Sequence, residues 1–299
     1  MSLYISTSRG VYKYNIRNDN ISQVISNWKK GLFKKPSKGF FGICLNKSQN
    51  EIIFASRERL SKEIDYEKST DTIIYFYNFI NKTISKSILV KNLLDVHQIT
   101  FFKNFVFLTE TGKNRIQILN SLTNKIEFFI DIGKIRNDIN HINAINIDQN
   151  YLYIGLNNGH EKNDFKNAQI IKIPMNEILN LKSFDAYQKK NLINLDGIYH
   201  THDFEKFAND YLISSSGLGK IYSFNNKKFI IDVGPWTRGI TIGPNDIFIG
   251  KSGFGKRKQR HSRYYNGEVF FLDINSFNIK KKIIIPKIGQ LNDIIYVED

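Results

Sequence analysis

Two of the six histidines, His97 and His202, occupy the same slot of a repeated phrase and two more, His141 and His200, lie two residues before such a slot, and imidazoles grouped in this way can hold a divalent metal or move protons. The phrase is a polar or large residue, then a small or polar one, then Ile or Phe. It reads Phe41-Gly42-Ile43, His97-Gln98-Ile99, Asn143-Ala144-Ile145, His202-Asp203-Phe204, Arg238-Gly239-Ile240 and Asn292-Asp293-Ile294. Residues two apart on a strand share a face. Asp95, His141, His200, Trp236 and Gln290, each two residues before a slot, are therefore expected to point the same way as the slot side chains. Arranged around an axis, both sets would converge on one spot.

Two chemistries follow from these residue types. His200 and His202 would present two imidazoles on one face, which suits a divalent ion. Neutral imidazole favours Zn or Fe over Ca or Mg. The candidate ligands are His97, His141, His202, Asn143 and Asn292, with Asp95, Glu110 and Glu161 as carboxylates that could complete a shell for Zn, Fe, Mn or Ca. In the metal-free alternative, His97, His200 and His202 act as acid or base and Arg238 stabilises developing negative charge. A single strand histidine is more often structural than functional; the grouping is what raises these four.

Arg238 follows Trp236 in Gly-Pro-Trp-Thr-Arg-Gly. A guanidinium suits carboxylate or phosphate, and an indole suits a sugar or ring face. The competing reading buries Trp236 between structural units, with Arg238 on a neighbouring carboxylate. Trp236, Arg57, Glu110, His160 and Lys251 are the expected substrate contacts. No organic cofactor is indicated: Gly253-Phe-Gly-Lys-Arg-Lys lacks the spacing and ending of a phosphate-binding loop, and one cysteine cannot form a zinc cluster. Ser214-Ser-Ser-Gly217 also lacks the strand-to-helix serine elbow.

The elements that must position these groups are short β-strands. Each phrase opens an apolar run, followed by a loop of Asn, Gln, Lys, Pro or Asp and a second run such as Glu51-Ile-Ile-Phe-Ala55 or Asp246-Ile-Phe-Ile249. The runs are β-branched and aromatic and are bounded by turn residues. The slots at 41, 97, 143, 202, 238 and 292 recur at the interval of four-stranded propeller blades. The chain ends on a first strand lacking a second (290–299) and begins on a second and third strand lacking a first (2–16). Joined, they complete a blade. The expectation is one all-β, six-bladed propeller domain over residues 1–299, its sixth blade shared between the termini. Loops after the second strands, including Ser56–Arg59, Asn157–Glu161 and Lys251–Gly253, should rim the site, and loops on rigid scaffolds commonly carry function.

Composition sets further bounds. The chain of 299 residues has 41% hydrophobic residues and no apolar run long enough to span a membrane. Met1-Ser-Leu-Tyr-Ile does not read as a signal peptide, so a cytoplasmic location is expected. The single cysteine, Cys44, reads as a buried core thiol. The net charge of +15 favours an anionic partner or reflects a Lys-, Asn- and Ile-rich composition. The charge peaks at Lys251–Arg263, where nucleic-acid binding is conceivable.

The blade rhythm resembles the six-bladed propellers of the gluconolactonase, paraoxonase and strictosidine-synthase-like group. Asn292-Asp293-Ile294 and Asn143-Ala144-Ile145 carry the resemblance. In that group Asn and Asp at inner-strand starts, with a Glu from the first blade, bind a central divalent ion beside the substrate. Here Phe41 takes the first-blade slot, and histidines take two others. The histidine-rich centre also looks loosely like propeller lyases of the virginiamycin B lyase kind. The functional expectation is an enzyme, hydrolase or lyase, acting on a small anionic, carbohydrate-derived or lactone-like substrate at a His/Asn/Arg-lined axial site. The alternative is a binding module for a protein, glycan or nucleic acid.

Overall fold

A computed structural model describes residues 1–26, 39–57, 70–132, 141–157, 167–179, 192–253 and 264–299. They form six four-stranded antiparallel sheets arranged as the blades of a propeller. From the axis outward, blade 1 comprises Gly39–Asn46, Glu51–Arg57, Thr70–Asn78 and Thr83–Leu93. Blade 2 comprises Val96–Phe102, Phe105–Glu110, Arg115–Asn120 and Lys125–Asp131. Blade 3 comprises Ile142–Ile147, Tyr151–Leu156, Ala168–Pro174 and Leu192–Leu195. Blade 4 comprises Thr201–Phe207, Asp210–Ser215, Lys220–Ser223 and Lys228–Asp232. Blade 5 comprises Thr237–Ile242, Asp246–Ser252, Gly267–Asp273 and Ile279–Ile285. Blade 6 places the C-terminal Leu291–Val297 innermost, followed by Ser2–Thr7, Gly10–Asn15 and Asn20–Ser26. The N-terminal segment thus supplies three strands of the shared blade, one more than the sequence pattern reveals. The extra strand is mostly exposed and polar, so it lacks the apolar signature of its neighbours.

Each blade is buried on both faces, which explains why second strands are apolar throughout rather than alternating. Ile52, Ile53, Phe54 and Ala55 are all fully buried. The core divides into six clusters, one in each gap between neighbouring blades; Phe107, Ile118, Ile142 and Ile154, for instance, meet between blades 2 and 3. Cys44 lies buried and unpaired in the gap between blades 1 and 2. The ring is fastened at its ends by Asp299, which bonds Ser2 Oγ at 3.0 Å and the terminal amine at 2.7 Å. Among the described residues no helix is long and apolar enough to cross a membrane.

Candidate active site at the axial mouth

Every inner strand carries one extra residue at its slot. In blade 4, Thr201 faces Ser215 and Phe204 faces Ile213, so three steps on one strand match two on the other. The same register shift occurs at Phe41/Ile43, Val96/Ile99, Ile142/Ala144 and Thr237/Ile240, and in blade 6 against Ser6/Thr7. A bulge re-aims side chains and leaves N–H groups unpaired. In two blades a hydroxyl on the second strand takes both. Thr109 Oγ1 accepts from His97 N (3.1 Å) and Gln98 N (2.8 Å). Ser214 Oγ accepts from His202 N (3.2 Å) and Asp203 N (3.0 Å).

Of the residues two before the slots, Asp95 and His141 reach the His97 ring and His200 stands near His202, for a different reason from strand alternation. Asp95, His141, His200 and Trp236 all have left-handed backbones, with φ of 61°, 42°, 54° and 71°. Their carbonyls accept N–H bonds from Thr111, Asn157, Ser216 and Ser252 at or just beyond the ends of the second strands, and Gln290 does the same for Ser8. Left-handed non-glycine residues are uncommon, and here they recur at equivalent places in blades 2 to 5. Gly217 makes room for one of them: a Cβ there would stand 2.9 Å from His200 Cδ2.

The mouth so formed brings most of the expected residues together. The His97 ring lies 5.5 Å from that of His141 and 6.4 Å from that of His202, centroid to centroid. Asp95 Oδ2 sits 3.2 Å from His97 Nε2 and ion-pairs with Arg57. Arg57 also donates from Nε to Val96 O at 2.5 Å and stacks its guanidinium 3.7 Å from the Phe41 ring centroid. Arg57 therefore supports the Asp95–His97 pair from beside the mouth. Burial opposes the Asp95 charge, yet Arg57, His97 and His141 hold its carboxyl well below the usual carboxylate range. Burial lowers His97 to about 4 despite the pull of Asp95. Burial, then Arg238 and the other three imidazoles, push His202 well below the usual histidine range.

Arg238 is 5% exposed, with the Gln290 amide over the face of its guanidinium. Asn143, 2% exposed, has neither amide atom hydrogen-bonded, and the Oδ1 of Asn292 is likewise buried and unbonded. Asn292 Nδ2 donates to Phe40 O at 2.7 Å. Asn157, at the end of the second strand of blade 3, has an equally buried and unbonded amide. Trp236 is half-buried on the rim and donates its N–H to Ser216 O at 2.7 Å.

Two expected substrate contacts are engaged elsewhere. Glu110 is fully buried inside blade 2, accepting from Leu94 N (3.0 Å) and Gln117 Nε2 (2.7 Å) and pairing with Lys113 (2.7 Å). Its place at a strand end predicted the rim, but its donors draw it into the blade. Lys251 pairs at 3.5 Å with Glu268, its register partner on the third strand of blade 5, and its Nζ also lies near Gly234 in the loop that leads to Trp236. His160, Glu161 and residues 254–263 of the basic stretch lie outside the described residues.

An oxygen-coordinated ion of the kind implied by the gluconolactonase resemblance does not fit this mouth. Phe41 replaces the first-blade carboxylate and carries the Arg57 stack. The Asp293 carboxylate accepts from Ile43 N and Ile294 N. What remains is the unbonded amide oxygens of Asn143, Asn157 and Asn292, with the Asp95 carboxylate already engaged by His97 and Arg57, whereas hard cations require several oxygens, usually including carboxylates. Among the described residues no three His, Cys, Asp or Glu side chains group closely enough to share one ion.

No family model matches the chain, and no curated protein matches it in sequence. Solved structures do match the fold. A chain of a nidogen/laminin complex aligns over 98% of this chain and 97% of its own length, with a TM-score of 0.65 and 11% identity. The periplasmic gluconolactonase of Pseudomonas aeruginosa aligns over 98% of both chains, at 0.60 and 9%. A protein of unknown function from Bacteroides caccae aligns over 100% and 99%, at 0.61 and 12%. At such identities the likeness concerns architecture: this chain is a six-bladed β-propeller with a gluconolactonase among its structural neighbours.

Proposed function

We propose that the axial mouth is the active site of a propeller enzyme that hydrolyses, or eliminates across, a small anionic substrate of the carbohydrate-derived or lactone-like class. The observation that carries the reading is Asn143. Its buried amide has four hydrogen-bonding positions and uses none. Leaving such a group unsatisfied costs about 1–3 kcal/mol, a cost that a ligand can offset. Neighbouring inner strands carry the Arg238 guanidinium, covered on one face by Gln290, and imidazoles held neutral.

In this mechanism Arg238 clamps the anionic group, and the amides of Asn143 and Asn292 orient the substrate's polar atoms. His97, oriented by Asp95, takes a proton from attacking water in hydrolysis or from the carbon next to an acidifying group in elimination. His202, beside Arg238, takes up a proton from solvent as the anion binds and donates it to the leaving oxygen, while the proton held by His97 returns to solvent after release of product. Bound negative charge offsets the repulsion between Arg238 and His202, so an imidazolium costs less in the complex than in the free protein.

A second reading, a binding module without chemistry, draws on one observation: both imidazoles are poor bases in the free protein. The fold serves either role, since its neighbours include a gluconolactonase and a member of a nidogen/laminin complex. Turnover of a panel of lactones and sugar acids by the wild type and His202→Ala decides between them. Loss of turnover in the variant supports the enzyme; absence of turnover in both, with ligand binding retained, supports the module. Elemental analysis of the same two proteins tests a metal: stoichiometric zinc, iron or manganese lost in His202→Ala would add an ion to the site.

A further inference from the structure

Directly beneath the mouth, the second residue of each phrase alternates between small and polar around the ring: Gly42, Gln98, Ala144, Asp203, Gly239, Asp293. Each polar side chain crosses into the next blade and caps the N–H that follows its small residue. Gln98 Oε1 accepts from Ile145 N at 2.7 Å, Asp203 Oδ2 from Ile240 N at 2.5 Å, and Asp293 Oδ2 from Ile43 N at 3.2 Å. The polar three also meet one another. Gln98 Nε2 donates to Asp203 Oδ1 at 2.8 Å, and the same amide bonds to Asp293. The small positions leave the necessary space: a Cβ on Gly42 would stand 2.6 Å from Ile99 N, and one on Gly239 2.6 Å from Ile294 N.

We infer that Gln98, Asp203 and Asp293 form a three-part latch that closes the ring and seals the axis, making the mouth a cup with one entrance. The residue types fit the task. Inner strands present a free sheet edge to the axis, and its N–H groups need acceptors. The described bonds to both oxygens of each aspartate come from N–H donors, a role the two oxygens of a carboxyl group fill and an amide fills only by half; burial raises both carboxyls, and Asp203 raises Asp293 further. Gln98 must accept from one neighbour and donate to others, which requires an amide. Two residues further along the inner strands, the odd-numbered blades do the reaching: Asn146 of blade 3 donates to Phe204 O of blade 4 at 2.9 Å, and Thr241 of blade 5 accepts from Tyr296 N of blade 6 at 3.0 Å. Asp293 belongs to the C-terminal strand, so the latch also ties the shared blade to blade 1.

The test is a double-mutant cycle on the full chain, Gln98→Met, Asp293→Asn and their combination, read by thermal unfolding. Each single variant should lower Tm by roughly 4 °C or more, and the double should fall clearly short of the sum, because the two share one network. Additive shifts, or single shifts within 1 °C of wild type, would overturn the latch. Cys44, the only thiol and two residues beyond Gly42 on the same strand, gives a second readout. Under native conditions its alkylation should quicken at least tenfold in Gln98→Gly but not in a surface variant of equal Tm; equal rates in the two would also overturn it.

Discussion

Gln290 lies over the face of the Arg238 guanidinium. With its amide oxygen turned toward Arg238, it stands 3.0, 3.1 and 2.9 Å from Nε, Nη1 and Nη2, and near-equal distances to all three nitrogens place it above the plane rather than along the N–H fork. A carboxylate in its place would add a negative charge that competes with a bound anion for the guanidinium. Gln290→Glu should therefore keep or raise Tm while weakening binding of small anions such as phosphate or gluconate at least tenfold, measured by calorimetric titration. Gln290→Ala should weaken binding less, through lost positioning alone.

Anion binding should tighten as pH falls. Burial and neighbouring positive charge hold His97 near 4 and His202 well below its ordinary value in the free protein. A bound anion favours the imidazolium and raises both values, so the complex takes up protons that the free protein does not. Affinity then rises from pH 7.5 toward pH 5, with measurable proton uptake in buffers of different ionisation enthalpy. A flat profile would show that the anion lies too far away to influence the imidazoles.

Asn143→Ala should trade function for stability. Removing a buried amide whose atoms lack partners relieves a desolvation penalty, so the variant should be more stable by about 1 kcal/mol. The same change should reduce ligand affinity. Denaturant unfolding and titration on one sample check both halves; a destabilised variant with intact binding would assign Asn143 a packing role.

Stability should decline from mildly acidic to alkaline pH, with Glu205 as a principal cause. Burial, then the nearby Asp203, raise Glu205 to about 8 from its ordinary 4.5, against a 3.2 Å bond from Asn146. Between those values the folded chain keeps a proton that the unfolded chain has released. Its contribution is thus fully present below 4.5 and is lost as pH rises through 8. The steepest loss from one such proton is about 1.4 kcal/mol per pH unit. Glu205→Gln should flatten the unfolding profile between pH 5 and 9 and raise Tm at the alkaline end. A residual slope of the same sign is expected from Asp203, which burial raises to about 6.

The sequence by itself determined the blade count, the shared sixth blade and the ring of slots. These depend on local repetition, and a phrase recurring six times at blade spacing needs no long-range contact to be read. Three-dimensional packing decided what each group does at its place. The approach of Asp95 and His141 to His97 comes with left-handed backbones set before bulged strands, which periodicity cannot show. Glu110 stood at a plausible rim position, and partners within its own blade draw it away. Gln98, Asp203 and Asp293 were visible as the second letters of the phrase. Their joint role appears only when three blades, at positions 98, 203 and 293 of the chain, bring those side chains to one axis.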